Sequence, residues 1–312
     1  MSGSGTDPDP SLGGLTPPWL SVVVVAITGD AVLAPYLEAL ARQPDAAAIE
    51  VIVVADASRA FGERLRDRFP SVRWLDAPPG TTVPHLRTHA LARARGAIVA
   101  LIEDDCLVEP TWAAAVRSAH AGTAVAVGGA VEPGPYRRGL DWAIYFCEYG
   151  RFMRPLAADS HSALALAGVN VSYKRSALAD LDQRGGFVDY FVHDGWHRSG
   201  RPMRTDGAIG VRNIHTWSAT HLTAVPFHHG RTFADRRAAG RPAAWRLTMG
   251  LLSLALPAIK LGRIIAATVS RGRLVGRLAM SLPWVATFVT CWSAGETMGY
   301  LAGPGDSPDR WR

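Results

Sequence analysis

Short, nearly unbroken apolar runs alternate with amphipathic stretches through the first third of the chain. Trp19–Ile27, Glu50–Val54, Val72–Leu75 and Ala97–Ile102 each read as a strand. Runs of this kind show no polar face to water, as expected of strands in a parallel sheet covered on both sides. Between them Leu33–Arg42, about Ala60–Phe69 and about Val83–Ala94 carry helical spacing, and Glu109-Pro110-Thr111-Trp112 opens another helix. Strand and helix alternating at this interval predict an α/β fold built on a mostly parallel sheet flanked by helices.

Past Gly122 the alternation loosens. Ala124–Gly129 reads as a strand and Val131–Arg154 as an irregular, aromatic-rich connection. Ala163–Arg175 reads as a strand leading into a helix capped at Ser176. Gly185-Gly186-Phe187 breaks the chain before a helix expected to start at Val192-His193-Asp194, and Ala208–His215 is the last expected strand. From Leu247 the chain turns strongly apolar. Leu247–Ile259 carries no charge, and Leu278–Gly295 is eighteen uncharged residues, near the lower limit for crossing a hydrocarbon core of about 30 Å. A full hairpin from a cytoplasmic domain would carry Arg271, Arg273 and Arg277 to the far side, against the positive-inside tendency. The expectation is a first segment lying in the interface or re-entering and a second inserted more deeply. Two amphipathic helices packed on a soluble domain are the alternative.

These patterns divide the chain into a loose Gly/Ser/Pro/Asp-rich stretch over 1–18, which lacks a signal-peptide pattern, an α/β domain over 19–240, membrane-associated helices over 245–302 and a tail over 303–312. The chain has 312 residues, 48% hydrophobic and 19% charged, enough for a sizeable core. Its three cysteines are scattered, with no CxxC pair, which argues against a disulfide framework or a zinc site. Net charge is +6, but between His228 and Arg277 ten basic residues face one acid, Asp235. That local excess exceeds the net charge, so the remainder is slightly acidic. Basic residues beside apolar segments suit an anionic membrane surface at the cell membrane, with the active domain on the cytoplasmic side. Aromatic interleaving of the kind RNA-binding modules carry is absent, and no nucleic-acid partner is expected.

The fourth strand runs straight into Glu103-Asp104-Asp105. Three carboxylates at the end of a buried strand lose hydration unless something positive meets them. Ligands of open α/β sheets bind outside the carboxyl ends of the strands. Asp104 and Asp105 therefore sit where a hard cation and a phosphate-bearing ligand would be held, unless they serve only to start the next helix. The first strand ends in Thr28-Gly29-Asp30 without GxGxxG, so a dinucleotide fingerprint is missing.

Four stretches in order carry a resemblance: Val51–Ser58, Glu103-Asp104-Asp105, Gly168–Arg175, and Gly185-Gly186-Phe187 followed by His193-Asp194. With them the chain resembles family 2 glycosyltransferases of the GT-A fold, over about Ser21 to Gly240. The resemblance implies a metal-dependent transfer of a sugar from a nucleotide-diphosphate donor to an acceptor hydroxyl on a sugar or lipid-linked glycan, inverting by the family's usual course. It implies that Asp56, with Ser58, holds the nucleobase edge, and that Asp104 lies near the sugar or ribose. Asp105 would ligate Mg²⁺ or Mn²⁺, with His215 a candidate further ligand. Asp194 would be the general base. His193 replaces the usual Glu before it and could orient the base or titrate near neutrality. Arg87 and Arg231 are candidate phosphate ligands, Arg231 in a segment that resembles the family's flexible closing loop. Gly168, Asn170 and Trp196 fall on the acceptor side. Trp142, Tyr145, Phe146 and Tyr149 could stack on an acceptor sugar, meet lipid, or pack a core. Two other classes stay open: a membrane-tethered scaffold that kept the fold and lost activity, and a sugar-1-phosphate nucleotidyltransferase, disfavoured because no Gly-rich basic loop follows the first strand.

Overall fold

The computed structural model describes residues 17–58, 63–156, 166–182 and 184–310. Most of the expected N-terminal stretch, the start of the helix near Ala60, Ala163–Ala165 and the last two residues lie outside them. Four parallel strands form one half of an eight-stranded sheet: β1 (Leu20–Val25), β2 (Ile49–Asp56), β3 (Arg73–Ala77) and β4 (Ile98–Glu103). The full order is β3-β2-β1-β4-β7-β6-β8-β5, with β5 (Cys106–Val108), β6 (Ala126–Pro133), β7 (Asn170–Lys174) and β8 (Met203–Asn213). β7 runs antiparallel to both β4 and β6, and β5 antiparallel to β8, while β6 and β8 are parallel. The α/β fold read from the apolar runs is the one observed.

Both sheet faces are covered, which explains the uninterrupted Val and Ile runs. One face packs against α1 (Asp30–Ala41) and α4 (Trp112–Ala119), around Leu33, Tyr36, Leu37 and Trp112. The other packs against α3 (Val83–Leu91) and α7 (Asp189–Arg198), around Leu86, Ala90, Tyr173 and Trp196. Short α2 (Glu63–Arg68) and α6 (Arg175–Leu178) complete the connections.

Three expectations are corrected here. Val131–Arg154 is not irregular: β6 runs on to Pro133, and α5 (Gly139–Glu148) follows. The aromatic residues form α5's buried face, where Trp142, Tyr145 and Phe146 are each at most 6% exposed. The helix after Phe187 begins at Asp189, not at Val192. The stretch His228–Phe233 is no loop. It lies inside α9 (Ala224–Ala238), which follows the short α8 (Ala219–Leu222).

Three further helices close the chain: α10 (Ala243–Leu252), α11 (Leu256–Ser270) and α12 (Val275–Ala302). By length and composition the Ala243–Ser270 and Val275–Ala302 stretches are long and apolar enough to cross a membrane. α12 has 28 residues and at 1.5 Å per residue is about 42 Å long. It lies along α5 and α9. Leu278, Val285, Phe288 and Val289 join the α5 aromatics in a third apolar cluster. Gly295 and Gly299 let the backbone of α9 come close, since a side chain at either would run into the carbonyl of Phe227 or Arg231. The packing does not break near residue 240.

One buried ionic tie clamps the strands. Glu50 on β2 accepts from Ser21 Oγ on β1 (2.5 Å) and from Arg95 N and Nε before β4 (3.0 and 2.8 Å). Burial alone would raise the Glu50 pKa, but the Ser21 and Arg95 hydrogen bonds outweigh it and the net direction is down. The tie therefore stabilises the fold above the unfolded carboxyl value near 4.5 and fades as pH falls through the lower folded value. Glu50→Gln should cost about 1–3 kcal/mol at neutral pH by setting an amide N–H against donors. Denaturant melts should show the gap from the unsubstituted protein closing below pH 4.5.

Candidate active site

β1, β2 and β4 are parallel and in register, so their carboxyl ends finish side by side. Asp56 is the last residue of β2 and is buried. Its Oδ1 accepts from Ser58 N (2.8 Å) and Ser58 Oγ (2.7 Å), and its Oδ2 from Gly80 N (2.6 Å). These bonds fold the chain after β2 against the turn before α3. A hollow of about 110 Å³ opens there, lined by Ile27, Asp56, Ser58, Gly80, Thr81, Val83 and Leu86. A second hollow, sharing Ile27 and Val83, continues to Arg87, Glu103 and Gly168.

The acid triplet is spread over three tasks by its backbone. Asp104 turns towards β1, where its Oδ2 accepts from Ile27 N (2.8 Å), Thr28 N (2.8 Å) and Thr28 Oγ1 (2.7 Å). Its Oδ1 is buried with no hydrogen-bond partner among the described residues. Burial raises its pKa against those bonds. Asp105 turns the other way. Its Oδ1 accepts from Asn213 Nδ2 (3.2 Å) and Cys106 Sγ (3.3 Å), and its Oδ2 stands 3.7 Å from His215 Nδ1. Burial, then the charges of Glu103 and Asp104, pushes the Asp105 carboxyl well above its usual range. Asp105 lines neither hollow and sits on their β8 side. Burial also drives the pKa of Glu103 up to about 7, opposed by Arg87 and assisted by Asp104 and Asp189.

Arg87 on α3 is buried between two of these acids, with Nη2 3.6 Å from Glu103 Oε1 and Nη1 3.1 Å from Asp189 Oδ1. Asp189 is the first residue of α7, where a carboxylate complements the helix dipole. It presses on Gly168, at which any side chain would collide with the Asp189 carboxylate. Tyr149 Oη donates to Glu103 Oε2 (3.3 Å). Sequence reasoning missed Asp189, Asn213 and the pairing role of Glu103. Asp189 stands two residues after Gly185-Gly186-Phe187 and is an acid at a helix start, a signal that was legible. Asn213 became visible only once β8 was paired with β5.

Other expected site residues lie elsewhere. His193 is fully buried, with Nε2 2.8 Å from Tyr173 Oη, and burial lowers its pKa to about 4. It is a neutral core residue rather than one that titrates near neutrality. Asp194 lies in the second turn of α7, not at its start, and its carboxylate pairs with Arg198. Asn170 is spent on structure: its Nδ2 donates to Ala130 O and Ile209 O, and its Oδ1 accepts from Trp112 Nε1. Trp196 is 4% exposed, packed on Tyr173 and His193, with no face for an acceptor. Arg231 Nε donates to Gly303 O (2.8 Å) from within helix α9, which ties it to the chain's C-terminal turn. Of the acceptor-side residues expected, Gly168 alone lines a hollow.

Acids and one arginine thus gather at the carboxyl ends of parallel strands, the edge of an open α/β sheet at which ligands bind. The family model for "Glycosyltransferase like family 2" matches residues 17–215, and the chain belongs to that family. It is a glycosyltransferase. A comparison with curated proteins found no match. Among solved structures, the mannosyltransferase PcManGT from Pyrobaculum calidifontis in complex with GDP-Man and Mn²⁺ is similar with a TM-score of 0.56 at 17% identity, over 94% of this chain and 89% of that one. TarS 1-349 of S. aureus in complex with UDP-GlcNAc is similar with a TM-score of 0.50 at 13% identity, over 89% and 90%. Likeness at this identity supports the shared fold.

Gly168→Ala should leave the fold's thermal transition within a few degrees, because the collision is with a movable side chain at the rim. It should displace Asp189 from Arg87 and lower transfer by about tenfold to a hundredfold, read as kcat in a donor-saturated assay.

Proposed function

We propose that this enzyme moves a sugar from a nucleoside-diphosphate donor to an acceptor hydroxyl, with inversion, and that the acceptor is lipid-linked. The observation that carries the reading is that Asp56, Arg87 and Glu103 line two adjoining hollows at the strand ends, with Asp189 paired to Arg87. The nucleotide sugars named with PcManGT and TarS support the donor class.

Asp56 and Ser58 would hold the nucleobase edge in the 110 Å³ hollow. Asp104 is 1% exposed and lines neither hollow; it would shape the donor site from behind by holding Ile27 and Thr28 in place. Arg87, already set between two acids, would meet the diphosphate. On the β8 side Asp105 and His215 fit a divalent cation: Asp105 Oδ2 and His215 Nδ1 stand 3.7 Å apart, beyond hydrogen-bond length, and burial lowers the His215 pKa, which favours the neutral ring. Among the described residues no group of three or more His, Cys, Asp and Glu side chains gathers as a metal cage, so a cation here would complete its shell with donor oxygens. Mg²⁺ or Mn²⁺ suits such ligands and, when bound, would neutralise charge on the departing nucleoside diphosphate. The general base, expected at Asp194, is proposed to be Asp189, whose carboxylate packs against Gly168, a residue that lines the second hollow. One base assisting direct displacement gives inversion.

Asp189→Asn should retain donor affinity in a thermal-shift titration and lose transfer by about 10²–10⁴-fold. Asp194→Asn should change transfer by less than about threefold, and the opposite ranking returns the base role to Asp194. Asp105→Ala should abolish the metal-dependent part of donor binding. Donor binding indifferent both to EDTA and to this substitution rules out the metal assignment. The scaffold alternative predicts no turnover across a panel of UDP- and GDP-sugars with Mn²⁺.

A further inference from the structure

Every large hydrophobic side chain that stands exposed among the described residues lies between Leu247 and Leu301. The sheet and its helices keep theirs inside. The exposed set is dense at the junction of α10 and α11, where Leu251 is 59% and Leu254 is 69% exposed, and it continues through Ile259 and Val269. A patch of this kind on a folded chain marks a contact surface. Its charge says which. From Arg236 to Gly295 the chain carries nine Lys and Arg residues and no Asp or Glu. Arg263 on α11 is exposed, and so are Arg241 just before α10 and Arg277 at the start of α12. A second copy of the chain would bring like charges together across a two-fold contact, whereas an anionic lipid surface meets both the apolar side chains and the arginines.

The packing also decides how such a surface would sit. The turn between α11 and α12 is fastened to the catalytic domain. Arg273 Nη2 donates to Glu132 Oε2 on β6 (2.8 Å), its Nη1 donates to Arg154 O (2.8 Å), and Arg271 Nη2 donates to Arg151 O (2.9 Å). Near the start of α12 the Trp284 ring closes on Gly139 of α5, and near its end Gly299 closes on α9. At the other side of the layer, Arg246 on α10 donates to Tyr300 O (2.9 Å). A hairpin whose turn and second helix are both held to the same domain, with its first helix tied to the second, does not extend across a bilayer. α12 is instead a strut between the domain and an outer layer.

We propose that α10 and α11 form a monotopic docking surface, lying flat in one leaflet of an anionic membrane while α12 stays on the protein. This deepens the transferase reading, on which delivery of a lipid-linked acceptor from that leaflet rests; the docking itself is independent of catalysis. The purified full chain should co-sediment with vesicles of phosphatidylcholine and phosphatidylglycerol and bind about tenfold or more weakly to phosphatidylcholine alone. The Leu251→Glu/Leu252→Glu/Leu254→Glu variant should lose anionic-vesicle binding by at least about tenfold while keeping its circular dichroism and its donor-induced thermal shift. With Ser270→Cys, at the end of α11, protein bound to sealed vesicles should be labelled by an impermeant maleimide added outside, above the level of the unsubstituted chain. Protection of that cysteine would mean a spanning hairpin and overturn the flat arrangement. Vesicle binding undiminished in the triple variant, or no vesicle binding together with a dimer that the triple variant disperses in sedimentation velocity, overturns the docking surface. Vesicle binding is read without donor or acceptor, so its loss leaves the transferase reading standing, and absent transfer leaves the docking result standing.

Discussion

The dehydration of the carboxylates at the end of β4 is the constraint on which the rest of the site depends. β4 lies between β1 and β7 and is apolar along its length, so its acids emerge at a rim that neighbouring strands already crowd. A carboxylate there persists only with donors around it. Asp104 takes two backbone N–H groups and a hydroxyl from the end of β1, Asp105 takes the Asn213 amide from β8, and Glu103 takes Tyr149 and faces Arg87. Each of these ties fixes a different element at the rim. Burial, the largest cause of the raised pKa values of all three acids, leaves a cost that a cation near them would offset.

The parallel half of the sheet was legible because buried parallel strands leave an unambiguous trace, a run of Val and Ile ending in a polar turn. The antiparallel half was not. β5 has three residues and exists only because β8 passes beside it, and β6 carries two glycines, Gly128 and Gly129, where Leu166 and Asn170 press in, so its apolar pattern is thin. Helix α5 was obscured for a different reason. Its aromatic face is buried against α12, more than a hundred residues later in the chain, and without that partner the aromatics look like binding residues.

The candidate site was legible where chemistry and position coincide. Asp56 and Arg87 line the hollows, Asp104 holds Ile27 at their edge, and Asp105 stands opposite His215. Legibility failed where a motif's order survives while its geometry shifts. His193 and Asp194 occupy a familiar place after Gly185-Gly186-Phe187, yet α7 begins four residues earlier than His193. The first carboxylate on that helix is therefore Asp189, and His193 turns inward to Tyr173. Asn170 illustrates the converse, since its amide joins β6, β8 and Trp112, a structural duty that one sequence does not distinguish from ligand contact.

Helix α12 supplies the lid of an aromatic core that the catalytic half cannot close by itself. Trp142, Phe146 and Trp217 lean on Leu278, Val285 and Phe288, and α9 loses its longest neighbour without Gly295 and Gly299. Shortening the gene at the apparent end of the family motifs would strip that lid and leave the aromatics wet, yielding an insoluble fragment in place of a convenient soluble enzyme. The smallest version worth expressing runs through the final turn, where Arg231 grips Gly303.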